Sequence, residues 1–205
     1  MKRWTTVGLV AVFILGAVGC GGSRSAGGPN LNPDATDEVI QKEPDWYKRP
    51  PSFDGYLVAK GEGTSASKQG ARKKAINSLI NDFQLKTKTI TEGRSEDFFQ
   101  EAGGDYSSEL IQRFDQTQIV IWNGVVENWE EYNSETVVER SMDANGNKRH
   151  IYRTYLLGRI NRHEADQRLL EKLKRDKELM DALEATKSYE KLQDDLDRYR
   201  EKLGM

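Results

Sequence analysis

The only cysteine of this chain, Cys20, closes a short apolar run, and that placement limits what the rest can be. One cysteine allows no disulfide within the chain and no multi-cysteine metal site, so any folded part must rest on an apolar core. The run before it, Val7 to Val18, follows a positive start at Lys2 and Arg3. At about a dozen residues it is too short to cross a hydrocarbon core that needs roughly 20, and it has the length of the apolar stretch of a secretory signal. Ala17 and Gly19 put small side chains at the cleavage point. Residues 1–19 therefore read as a signal peptide.

The stretch Leu15-Gly16-Ala17-Val18-Gly19-Cys20 resembles the bacterial lipobox, with Ala17 where leucine is most frequent. The resemblance implies diacylglycerol on the Cys20 sulfur and usually a third acyl chain on its amine. Cys20 is thus the candidate lipidation residue, and a membrane is the expected partner through its acyl chains. At about 0.8 kcal/mol per buried methylene, two or three chains anchor durably where one does not. Gly21 rather than aspartate follows Cys20. By analogy with Gram-negative sorting, this points to the outer membrane, with the remainder facing the periplasm. The alternative is an ordinary secretory signal that ends in a cysteine.

Residues 20–43 open with Gly-Gly-Ser-Arg-Ser-Ala-Gly-Gly-Pro-Asn after the cysteine. Such a segment buries too little surface to repay ordering, so it reads as a flexible tether spanning roughly 25–30 Å. The whole chain of 205 residues is polar, with 31% charged and 36% hydrophobic side chains. Its formal charge is -2, and loss of Lys2 and Arg3 with the signal makes it two units more negative. An acidic chain with no basic block offers little to a phosphate backbone, which argues against nucleic acid as a partner.

Residues 44–161 carry the expected domain. Pro44, Trp46, Tyr47, Pro50 and Pro51 mark its entry, and Tyr56 to Ala59 reads as a strand ending near Gly61-Glu62-Gly63. Ser65 or Ser67 can cap a helix whose apolar side is Ala71, Ala75, Ile76, Leu79, Ile80 and Phe83. Leu85 to Thr91 alternates and predicts a second strand. Short helical pieces are expected between Ser95 and Arg113, broken at Gly103-Gly104. The run Gln118 to Tyr132 has the strongest strand signal, with Gly124 as a candidate bulge. Segments 135–142 and 148–160 flank Asn145-Gly146, a hairpin signal. The expected class is α+β: a small, mostly antiparallel sheet with helices packed on one face, plus a long C-terminal helix.

That helix spans residues 162–205 and is highly charged. Ala182, Ala185, Tyr189, Leu192, Leu196, Tyr199 and Leu203 follow a three-four spacing over about three heptads, the shortest stretch that supports a coiled coil. Tyr189, Leu192, Leu196 and Tyr199 are therefore the candidate self-association residues. A helix folded back along its own domain is the alternative.

Pro44-Asp45-Trp46, then Gly55-Tyr-Leu-Val-Ala-Lys-Gly61-Glu-Gly63, then Ser67 leading into an alanine-bearing helix, resembles the Lpp-twenty lipoprotein family. Identifiable motifs cover residues 44–83, and the order of elements extends the likeness to about residue 160. The resemblance implies one small α+β domain on a short tether. It also implies a non-enzymatic envelope protein, in some members built into rings or disks around an envelope machine.

No catalytic set is evident. His150 and His163 have no second histidine or paired carboxylate at metal-ligand spacing, and no metal or other cofactor is expected. Gly61-x-Gly63 lacks the context of a phosphate loop, and reads as a tight turn. Asp143-x-Asn145-Gly146 has Thr154 where a calcium loop needs glutamate. Glu127, Glu130 and Glu131 offer carboxylates without a partner pattern, and Lys68, Arg72, Lys73 and Lys74 read as a solvated helix face. Two functions remain: a lipid-anchored structural subunit that forms a homo-oligomer, through the heptad seam or sheet edges, or a monomeric adaptor contacting an envelope protein or cell-wall material.

Overall fold

Three strands carry the molecule's long-range pairing, and their glycines decide how closely a helix can approach. The computed structural model describes residues 43–103, 106–142, 146 and 148–204. Cys20, the signal and nearly all of the tether lie outside them. The order is α1 (Asp45–Lys48), β1 (Tyr56–Ser65), α2 (Lys68–Ala102), α3 (Ser108–Val126), β2 (Glu130–Met142), β3 (Lys148–Asn161), α4 (Arg162–Leu173), α5 (Lys177–Leu183) and α6 (Lys187–Leu203). This is the expected α+β class, with an antiparallel sheet in the order β1-β3-β2.

Gly61 and Gly63 lie inside β1, not in a turn after it. A Cβ on Gly61 would stand 2.0 Å from the Ala75 carbonyl oxygen, and one on Gly63 2.3 Å from that of Ala71. Their missing side chains let α2 lie main chain against main chain on the strand. Ser67 caps α2 as expected, accepting from the Gly70 N–H at 3.1 Å.

The strand expected at Leu85 to Thr91 is instead the middle of α2, a helix of 35 residues. Its buried positions are Ala71, Ala75, Leu79, Phe83, Thr87, Thr91 and Ser95, each four residues after the last, and then Phe98 three residues on. Steps of four advance about 40° around a helix, so the buried stripe winds from the sheet towards the other helices. The threonines that suggested a strand bond back along the helix: Thr91 Oγ1 donates to the Thr87 carbonyl at 2.9 Å and Thr89 Oγ1 to that of Leu85 at 3.2 Å.

The expected strand at Gln118 to Tyr132 is corrected likewise. Through Val126 it is α3, and the strand begins only at Glu130. Leu110, Phe114, Gln118, Ile121, Trp122, Val125 and Val126 are buried at helical spacing, while Val120 is 70% exposed. Packing against α2 and α4 outweighs the strand preference of the β-branched run. Gly124 is helical, and the bulge of this region lies between Glu131 and Asn133. The hairpin pairing holds, with β2 and β3 antiparallel from Met142↔Lys148 onwards.

The C-terminal region is helical but not one helix. Asp176 and Thr186 accept from the N–H groups of Leu179 and Tyr189, each at 3.2 Å, and so start α5 and α6 as separate helices. The region turns back on its own domain. Leu169, Leu173, Leu179, Leu183, Tyr189, Leu192 and Leu196 share one core with Phe83, Phe98, Phe114 and Trp122. The sheet's other face is covered by a strap from Pro44 to Phe53, where Tyr47 packs on Tyr155 (4.9 Å between ring centres) and Val137.

Candidate interaction surfaces

The residues singled out for chemistry are placed apart and mostly engaged. Among the described residues no group of three or more His, Cys, Asp or Glu side chains could hold a metal. His163 stacks on Tyr199 at 3.9 Å, and the Tyr199 hydroxyl accepts from Asn161 Nδ2 at 3.0 Å. His150 is exposed on β3. Glu130 pairs with Arg159 at 3.0 Å and Glu131 with Arg72 at 2.5 Å. Of the basic helix face, Arg72 is thereby engaged and Lys74 Nζ donates to the Thr64 carbonyl.

The heptad residues are equally occupied. Tyr189, Leu192 and Leu196 are 4%, 6% and 2% exposed within their own domain, so the folded chain does not offer them as a seam. Tyr199 is half-buried against His163, and of the heptad only Ala185 and Leu203, the latter at 54%, are open. The folded-back alternative is the one realised. The alternation of Tyr189, Leu192 and Leu196 matches an intramolecular helix interface as well as a coiled coil, which is why spacing alone left both open.

The sheet edges differ. β1 pairs only with β3, so one side of it is an edge. There the Lys60 N–H donates to Asp82 Oδ2 at 2.8 Å, while Lys86 Nζ donates to the Val58 carbonyl at 2.8 Å and Lys74 Nζ to that of Thr64 at 2.9 Å. Three side chains of α2 thus cap three main-chain groups along this edge. Lys86 also pairs with Asp82 at 2.8 Å, which fixes both caps.

β2 is the opposite edge, 13 residues long. The β1 bonds show that even-numbered residues there point their main-chain groups away from β3. Because Lys60 lies across from Leu157, the odd residues of β3 must point theirs towards β2, where Leu157 meets Asn133 and Arg153 meets Val137. The even residues of β2, namely Ser134, Thr136, Val138 and Arg140, then face outward. None of the hydrogen bonds of the described residues reaches their main-chain groups. Val138 is also 43% exposed, large for an apolar side chain on an edge.

Across the sheet runs a charged rung. Arg153 of β3 bonds Glu139 of β2 at 2.6 Å and Glu62 of β1 on its other side. Those bonds hold its guanidinium more firmly charged than usual. Nearby, burial and then the Glu62 carboxylate push the Tyr47 hydroxyl up to about 12. Arg159 lies over the rings of Tyr56 (4.6 Å), Phe53 (5.6 Å) and Tyr132 (5.7 Å). This face is satisfied internally.

A further surface follows α3, where Ile119 and Val120 are 49% and 70% exposed. Beside Val120 a groove of about 490 Å³ runs between α3 and α4.

No family model, curated protein or solved structure matches the chain. Sequence reasoning reached sheet edges as candidate surfaces but missed what sorts them. Asp82 and Lys86 form an i, i+4 pair that looks like any solvated helix face. Gly61 and Gly63, which bring that helix against the strand, were the one available signal.

Proposed function

We propose that this protein is a lipid-anchored, non-enzymatic subunit of the bacterial envelope, held at Cys20 in the outer membrane, facing the periplasm and assembling with copies of itself. The reading follows the lipobox and the resemblance to the Lpp-twenty lipoprotein family. The observation that carries the assembling part is the difference between the edges: α2 side chains cap β1, while no hydrogen bond among the described residues meets the outward row of the long β2 edge. A bare edge with an exposed Val138 is a template for another strand. Light scattering of the Cys20→Ser chain in mild detergent, over a concentration series, tests it. A mass that rises to a defined multiple supports assembly, and a constant monomer mass removes it. Acylation is tested separately by radiolabelled palmitate, which should enter the parent chain and not the C20S variant.

The adjacent exposed Ile119 and Val120 favour a second reading, a monomeric adaptor that docks an envelope protein or wall polymer along α3. That reading predicts a monomer whose capture of partners is lost on Val120→Glu.

A further inference from the structure

We propose that β2 pairs with β2 of a second copy, antiparallel about a two-fold axis at Val138, joining two three-stranded sheets into one. This rests on the assembling-subunit reading and gives it a surface, a partner and a register.

The strand's own chemistry selects the register. In an antiparallel pair the bonded residues must both face outward, so Ser134, Thr136, Val138 and Arg140 of one copy meet the same set of the other. A two-fold at Val137 would set Glu135 across from Glu139 of the second copy on both sides, and like charges directly opposite destabilise a pair. A two-fold at Arg140 would set arginine against arginine. With the axis at Thr136, pairing would run into the irregularity between Glu131 and Asn133, where a bulged strand turns away from a ladder. The axis at Val138 avoids all three. It pairs positions 134 to 142 clear of the bulge, sets Thr136 against Arg140 and Glu139 against Val137, and leaves Glu139 on Arg153. It also brings the exposed Val138 against its own copy, removing from water the largest apolar side chain among the outward positions whose exposure is described.

β1 cannot serve in this way. Its outward Val58 carbonyl, Lys60 N–H and Thr64 carbonyl are already bonded by Lys86, Asp82 and Lys74, which interrupts the ladder a second strand would need. A two-fold contact between identical edges also closes on itself, so the product is a dimer rather than a fibre.

The test uses the full chain carrying Cys20→Ser in mild detergent, with one cysteine returned at a chosen site. Bonded antiparallel partners have Cα atoms about 5.5 Å apart, within disulfide reach, so Val138→Cys should cross-link to itself under mild oxidation. Glu135 is also exposed, but a cysteine there would face position 141 of the second copy, several residues from its own mate. The V138C chain should give at least about ten-fold more covalent dimer than E135C. Val138→Lys should halve the mass seen for C20S alone while leaving in place the urea midpoint measured at dilutions where C20S is itself monomeric.

Equal cross-linking at both positions would mean random collision and would overturn the pairing. A doubled mass that survives V138K, with no V138C cross-link, would overturn the pairing too, yet leave assembly standing on another surface. A C20S chain that is monomeric at every concentration would remove both.

Discussion

The two outer strands of the sheet face the same physical difficulty and resolve it differently. β1 and β2 each turn one row of main-chain groups away from β3. On β1 the row is met by Asp82, Lys86 and Lys74, all from α2. This is only feasible because Gly61 and Gly63 let α2 settle onto that strand. β2 packs chiefly on β3; among the described residues no comparable helix lies along it and no hydrogen bond meets its outward row. The comparison teaches that edge protection here is a product of helix placement rather than of the edge strand's own composition. β1 has no more charge or proline than β2, yet it is the closed one.

The strongest way to break this comparison is to push α2 off its strand. Gly61→Val would place a side chain where the Ala75 carbonyl oxygen lies 2.0 Å from the new Cβ, and main chain cannot yield as a flexible side chain would. A loss of about 3 kcal/mol or more is expected, at the high end for a single substitution. Urea denaturation measures it, and an unchanged midpoint would show that the close approach is not what holds α2. Next in size is Asp82→Ala, which strips the partly buried Lys60 N–H of its acceptor. An unmet buried donor costs roughly 1–3 kcal/mol.

How much of this was legible beforehand depends on whether a residue's role was local. The Ser67 cap and the helix from Ala71 to Phe83 were readable, because capping and a one-sided apolar stripe are properties of adjacent residues. The β2–β3 hairpin was readable from Asn145-Gly146 and its flanks. Leu85 to Thr91 and Gln118 to Val126 were misread as strands, since threonine and β-branched residues favour strands unless a neighbouring helix fixes them otherwise. The heptad of α6 was read correctly as an apolar seam, but spacing cannot say whether the surface it meets belongs to the same chain. The caps on β1 were illegible because Asp82 and the strand it serves meet only through the fold, 22 residues apart from Lys60.

The strap offers a smaller effect, and one that touches the open side of the sheet. Tyr47 holds Pro44 to Phe53 over Tyr155 and over Val137 of β2. Its hydroxyl is pushed up to about 12, from 10.0, chiefly by burial. Above pH 10 an unfolded chain releases that proton while the folded chain keeps it, so the folded state binds more protons and stability falls as pH rises. The contribution is whole below pH 10 and is lost progressively between 10 and 12. Thermal unfolding across that window should show the decline, and Tyr47→Phe should lessen it, leaving the part due to Tyr155 and Tyr189, which burial also raises. An equal decline in both chains would assign the alkaline loss to other groups.

The smallest expected effect makes the sharpest comparison, because it asks the same question of both edges. Proline removes a main-chain N–H, and within a sheet it is tolerated where that N–H faces outward and has no partner. Lys60 and Val138 both point their N–H away from β3, but among the described residues only that of Lys60 has an acceptor, Asp82. Lys60→Pro, referred to Lys60→Ala so that the contact of Lys60 with the Tyr47 ring cancels, should cost roughly 1 kcal/mol more than the ring's constraint alone, the size of one hydrogen bond. Val138→Pro, referred to Val138→Ala and measured on monomer, should show only that constraint. The difference between the two differences isolates the cap. If it vanishes, the Asp82 bond is a contact without weight, and the two edges are alike in energy however unlike in geometry. If it holds while Val138→Pro also abolishes the dimer, the same N–H that is dispensable to the folded chain is the one its partner needs.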